Sequence, residues 1–473
     1  MDYHPFSVPN IVVLSILVTI LTGCVQPEFL RPRPDMSRDS DEYNERSSSE
    51  RPDISPRRTP DPEEGALSLA RCMKLAMHNS PRARREWQNA RAASARAGQT
   101  WGQLLPQIDF DYNAVRSKTQ ELSYVDVDYL RTTYDARFGL RQLLFDGGKT
   151  RYELSAAEAE LRSADFRHNS TLQEVALSTQ KAYYELLTSK ALLDVAEETV
   201  EQRRRHVRLA ERQAEAGRAR EVEVLQAKAR LSEAEFDRVD ARNQVRQTRG
   251  RLNVIMGLPP NHPLEIKEMP DKVTEEEVED VEKLMDLASE QRPSLKSAAE
   301  QVERWRDLVH AEKRRRLPNI NTDLSYGWKD TKAVPEREEY SMSAGLNLPL
   351  FTGFQTTYGI RNAKARLQSA IREYEENLRQ VEQEVWDAFS EVVRAKESVK
   401  VAESYVKSTR ESQKVAERGY EEGRATIVEL IDAQTELTQA LARQHRSRLQ
   451  WYSSIAALER AVGEILSEQQ NSE

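Results

Sequence analysis

With 473 residues the chain could bury a large single core, yet only 38% of it is hydrophobic and 31% is charged, too polar for one compact globule of that size. Sparse glycine, interleaved acids and bases and a formal charge of only −8 exclude a nucleic-acid footprint and indicate long helices that keep much of their surface wet. Two cysteines, Cys24 and Cys72, cannot build a disulfide framework. The histidines are scattered without a pair at metal-ligand spacing, and no phosphate loop, nucleophile elbow or zinc pattern occurs. Neither a metal site nor an enzyme activity is expected.

The apolar run IVVLSILVTIL at residues 11–21 is too short to span a bilayer and fits the apolar region of a secretory signal. It leads into Leu21-Thr22-Gly23-Cys24, which resembles a bacterial lipobox. That resemblance implies a signal peptide at 1–23, cut before Cys24, with an acyl chain such as palmitate carried by the cysteine. Val25 in place of Asp then implies sorting to the outer membrane. Residues 1–10 hold Asp2 but no Lys or Arg, a departure from the positive start of such signals, and a signal anchor with an incidental cysteine is the alternative. Residues 24–64 carry Pro, Ser, Arg, Asp and Glu with almost nothing apolar, so they read as a flexible tether.

Beyond the tether the chain repeats itself. LLFDGGKTRY at Leu143 returns as PLFTGFQTTY at Pro349, 206 positions later, and Gly217, Leu231 and Gly257 recur as Gly423, Leu437 and Gly463 at the same spacing. Two copies, 65–258 and 284–464, are therefore expected, with a connecting segment at 259–283 and a tail at 465–473. Before the shared LF, Pro81 pairs with Pro293 at a spacing of 212, which places a longer loop in copy one.

Each copy opens with a helix, 67–104 or 284–316, ended by Leu-Pro. Period-2 alternation then marks strands: Ile108, Phe110 and Tyr112; Ala136, Phe138 and Leu140; Ile320, Leu324, Tyr326 and Trp328; and Met342 through Leu348 to Leu350. Charged hairpin loops are expected at 117–132 and 329–339. Helices of about 65 residues follow, free of proline, reaching roughly 100 Å at 1.5 Å per residue. Breaks at Gly217 and Gly423 turn the chain back into second helices ending near Gly257 and Gly463. Ile427, Leu430, Leu437 and Leu441 form a heptad-like seam, so each tip reads as an antiparallel helical hairpin.

Four strands with one apolar face leave unpaired edges unless several chains close them into a barrel, and a membrane admits only helices or closed barrels. Strand pairs joined to such helices, duplicated behind a lipoprotein signal, resemble the TolC family of outer-membrane efflux proteins. LLFDGGKTR, PLFTGFQTT, AGRAREVEVLQAKARL and EGRATIVELIDAQTEL carry the resemblance, with MGLP and AVG closing the copies. It implies a mostly α fold with a small transmembrane β part: two helix-strand-strand-helix repeats, a trimeric 12-stranded β-barrel and a long periplasmic α-helical tube. Partners would be a homotrimer, a periplasmic adaptor protein, an inner-membrane transporter and outer-membrane lipids. No cofactor beyond the Cys24 lipid is implied. Lipidation leans toward a drug or metal pump rather than protein secretion. A periplasmic coiled-coil scaffolding lipoprotein without a pore is the competing reading.

The resemblance also assigns residues. Glu429 and Asp432 match the acids that narrow the pore at the tip, where rings of carboxylates would attract cations. Tyr420 and Glu223 match two members of a closed-state lock; its arginine position holds Ala425, with Arg424 one residue earlier. Gly217, Arg218 and Gly423 are candidates for adaptor docking. Asp432 faces Gln226 in copy one, so the copies differ at the gate.

Overall fold

Proline and glycine positions divide the chain into the elements observed. The computed structural model describes residues 65–121, 127–217, 220–267, 280–331 and 334–463. The signal segment, Cys24, the tether, Arg218, part of the connecting segment and the tail lie outside the described residues. Copy one comprises α1 (Leu69–Asn79), α2 (Pro81–Gly102), β1 (Gln107–Glu121), β2 (Val127–Phe145), α3 (Lys149–Glu215) and α4 (Glu221–Ile255). Copy two comprises α5 (Val281–Gln291), α6 (Pro293–Arg314), β3 (Asn319–Thr331), β4 (Val334–Asn347), α7 (Gln355–Glu421) and α8 (Ile427–Val462). Both long helices have 67 residues, so the 206-residue spacing maps one directly onto the other. Among the described residues no helix is long and apolar enough to cross a membrane.

Three expectations need correction. The opening helix of each copy is two helices, interrupted at Ser80 and Arg292, both in extended conformation. The residue before proline is pushed out of the α region, and proline then occupies the first helical position, where its missing N–H costs nothing. The hairpin loops are far shorter than 117–132 and 329–339, because antiparallel pairing continues to Glu121↔Val127 and Thr331↔Val334. Ladder hydrogen bonds run through the backbone, so polar side chains do not end them. Finally, β4 stops at Asn347, leaving Leu348 and Leu350 outside it; Pro349 has no N–H to offer a ladder. The strands, 15 and 19 residues in copy one against 13 and 14 in copy two, thus take up the length difference along with the loop.

The described chain divides into two compact units. One, with residues 89–165 and 300–370, contains the sheet, ordered β1-β2-β3-β4 and antiparallel throughout. The other has two main cores. In copy one, Cys72 and Ala76 pack with Tyr183, Leu186, Leu252 and Met256, closed by Leu264 and Ile266. Leu67 pairs there with Ile266 as a parallel bridge, and the Tyr183 hydroxyl donates to the Lys267 carbonyl at 3.0 Å. In copy two, Leu284, Ala288 and Leu295 pack with Val381, Val385 and Val462. Each return helix is tied to the interrupted pair: Asn79 Nδ2 donates to Met256 O at 2.9 Å, and Arg292 donates to Ala461 O at 3.1 Å.

Candidate functional site

Register sorts the strand residues onto two chemically opposite faces. On one face Ile108, Leu140, Leu324 and Met342 lie in a row across all four strands; Phe110, Phe138, Tyr326 and Tyr340 form the next. The rows between them are Asp109, Gly139, Ser325 and Ser341, then Asp111, Arg137, Gly327 and Glu339. Arg141 pairs with Asp323 at 3.0 Å and Arg137 with Asp135 at 3.1 Å on this polar face. The apolar face is bare: Phe110 is 55%, Met342 77% and Tyr340 85% exposed. From Ile320 to Trp328 it extends about 27 Å along β3 at ~3.4 Å per residue, or about 20 Å in height at a tilt near 40°, close to the lipid band of a barrel.

The strand-to-helix junctions are built by the LFDGGKT and LFTGFQT segments. Asp146 Oδ1 accepts from Gly148 N at 2.9 Å and Oδ2 from Thr150 N at 2.7 Å, capping α3. Burial pushes the Asp146 carboxyl up, but a bond from the Thr150 hydroxyl, these backbone bonds and Lys149 bring it below its ordinary value. Thr352 holds the same place in copy two and bonds the Thr356 hydroxyl at 3.1 Å. Gly148 has φ +85° and its counterpart Phe354 has φ +63°, a left-handed conformation adopted by a bulky residue. Sequence reasoning missed this residue. Leu350, Phe351, Phe354 and Tyr358 are all exposed, forming an apolar and aromatic patch whose only sequence signal was a phenylalanine at a glycine position.

At the tips, Gly217 (φ +69°) and Gly423 (φ +72°) end the long helices in left-handed conformation. Thr426 caps α8, accepting from Glu429 N at 3.3 Å, while Glu429 Oε2 accepts from Thr426 N at 2.8 Å. Glu429 is therefore half of a capping box. Asp432 is exposed three residues on, and its charge acts on Arg203 and Arg230. Among the described residues, Tyr420, Glu223 and Arg424 of the expected lock are not joined to one another by hydrogen bonds. Glu223 bonds Arg220 at 3.2 Å, and Arg424 pairs with Glu422. The Tyr420 ring packs against Ile427, Leu430 and Ile431, its hydroxyl unpartnered among the described residues. Burial pushes that hydroxyl's pKa up and the charge of Glu223 adds to the shift.

A family model described as outer membrane efflux protein matches residues 72–258 and 284–464. Protein CyaE of Bordetella pertussis is 27% identical, over 84% of each chain. Outer membrane protein TolC of Vibrio cholerae is 24% identical, over 85% of this chain and 92% of that one. The solved outer membrane protein VceC of Vibrio cholerae shares the fold, with a TM-score of 0.73 at 21% identity over 84% of this chain and 96% of that one. Since one family model accounts for both copies and most of the sequence, the chain belongs to the outer membrane efflux protein family.

Proposed function

We propose that the protein is the outer-membrane exit channel of a tripartite efflux or secretion system. Three chains contribute four strands each to one barrel, and their long helices form the periplasmic conduit. The observation that carries this reading is the sheet, in which the apolar rows from Ile108 to Met342 and from Phe110 to Tyr340 lie opposite polar and charged rows while β1 and β4 keep one edge unpaired. Head-to-tail closure of three such sheets removes every edge, turning apolar rows to lipid and charged rows to a lumen. The conduit is passive, opening at the tip when an adaptor and an inner-membrane transporter dock, with Gly217, Arg218 and Gly423 in the docking region. Cys24 carries the lipid that adds an anchor.

Purified protein reconstituted in planar bilayers tests the reading. Heat-modifiable trimers that conduct ions are expected; a stable monomer without conductance would overturn it in favour of a scaffold. Mass spectrometry of the mature N-terminus tests the anchor, which predicts an acylated Cys24 and its loss in Cys24→Ser.

A further inference from the structure

Where α3 meets α8, an arginine is buried against neutral partners. Arg203 is 6% exposed; its guanidinium donates to Gln434 Oε1 at 3.1 Å and to Thr435 Oγ1 at 3.0 Å. Gln434, 3% exposed, turns its amide nitrogen to His206 Nε2 at 3.0 Å, and one turn further Thr199 and Thr438 hydroxyls lie 3.4 Å apart. Among the described residues no carboxylate lies within ion-pair distance of Arg203; the charges of Glu233 and Asp432 act on it from farther away, with Arg230 opposing them. For Gln434 to donate to Nε2, His206 must be neutral with its proton on Nδ1. Burial and the charges of Arg203 and Arg205 push its pKa down to about 4, which keeps it so.

The fold does not require this arrangement. The position matching Arg203 in copy two is Thr409, equally buried and satisfied by its own helix through Tyr405 O at 2.9 Å. The apolar seam of α8, with Ile427, Leu430 and Ile431, already packs its first turns. A desolvated charge whose direct hydrogen bonds all go to neutral acceptors is expensive to keep, and removing α8 would return it to water. We propose that Arg203 and Gln434 form a release latch: they fix the register of the α8 turns carrying Glu429 and Asp432 against α3, and rehydration of Arg203 favours their separation when the tip opens. Arg203 is a positioning residue acting through Gln434, and the inference rests on the channel reading above.

Three full-length variants, reconstituted as trimers, test the latch. Gln434→Glu puts a carboxylate in direct contact with the guanidinium, so amide exchange across residues 427–437 should slow about tenfold, as an ion pair replaces a hydrogen bond in which only the donor is charged. Bilayer conductance should fall with it. Gln434→Leu leaves the guanidinium with only one of its two acceptors and should speed exchange and raise conductance. In an Arg203→Met background, Gln434→Glu should reverse sign and loosen α8, because the new carboxylate is then buried alone. A purely packing role would give loss of protection in all three variants, and that result, or no change in any, overturns the latch. Hydrogen exchange reads α8 docking whether or not the parent conducts, so failure of the channel reading shows separately as a silent parent.

Discussion

Glu384 in α7 receives the guanidinium of Arg292, the residue at the break between α5 and α6. Arg460 of α8 reaches the same carboxylate at 3.0 Å. Arg292 is almost fully buried, so removing its partner strands a charge. Glu384→Ala should cost about 3–5 kcal/mol in chemical denaturation; a loss below about 1 kcal/mol would show that the contact is not structural. Burial pushes the Glu384 carboxyl up, but the Arg292 bond and the charges of Arg292 and Arg460 hold it below its ordinary 4.5. A depressed folded pKa stabilises above the unfolded value and is lost as pH falls through the folded one. Wild-type stability should therefore decline below pH 4.5, more steeply than in Glu384→Gln.

The two junction caps should separate in strength. Asp146 accepts two short backbone bonds, whereas Thr352 accepts one from Thr356 N at 3.5 Å. Asp146→Ala should cost about 1 kcal/mol and Thr352→Ala distinctly less, measured by the same denaturation. Equal losses would mean that the capping geometry does not set the difference.

In the sheet, glycine matters where backbone approaches backbone. A Cβ on Gly327 would lie 2.5 Å from Ala136 O and 3.0 Å from Arg137 Cα, and neither can yield. On Gly139 it would meet only the end of the Asp109 side chain, and on Gly345 nothing within 4 Å. Stability to heating should fall sharply for Gly327→Ala, by on the order of 2–4 kcal/mol, slightly for Gly139→Ala and hardly for Gly345→Ala, read as the fraction of trimer surviving. Any other order would contradict the strand register.

Much of this was legible in the sequence, and the exceptions have physical reasons. The long helices and tips could be read because proline and glycine are absent for stretches that only a helix fills, and glycines return where helices end. The breaks at Ser80 and Arg292 were not, since proline at a helix start and proline after a helix stop look alike in one dimension. Strand ends were hidden because a lumen-facing strand is polar where a loop would be. Thr426 and Glu429 spell a capping box, yet the carboxylate was read only as pore charge. The Arg203 and Gln434 contact spans 231 residues and leaves no local pattern at all.

Tyr420 separates packing from hydrogen bonding at the start of α8. Its ring fills the cluster of Ile427, Leu430 and Ile431, while its hydroxyl finds no partner among the described residues. Tyr420→Phe should leave stability within about 0.5 kcal/mol and conductance nearly unchanged. Tyr420→Ala, or Tyr420→Phe combined with Glu223→Ala, should raise conductance. If the phenylalanine variant alone opens the channel, the hydroxyl is the lock and packing is secondary.

Charge at the proposed constriction can be tested without breaking the helix start. Glutamine serves the third helical position of a capping box as glutamate does, so Glu429→Gln removes a charge while keeping the Thr426 N contact. Asp432 has no cap to maintain, and Asp432→Asn removes its charge outright. Both variants should fold like the parent and shift the reversal potential in a salt gradient toward anions. Asp432→Asn should shift it further, because it also removes an acid whose charge acts on Arg203 and Arg230. Thr426→Ala is the control: it should cost about 1 kcal/mol of stability with selectivity unchanged. Selectivity that follows Thr426→Ala instead would make helix geometry, not carboxylate charge, the determinant at this tip.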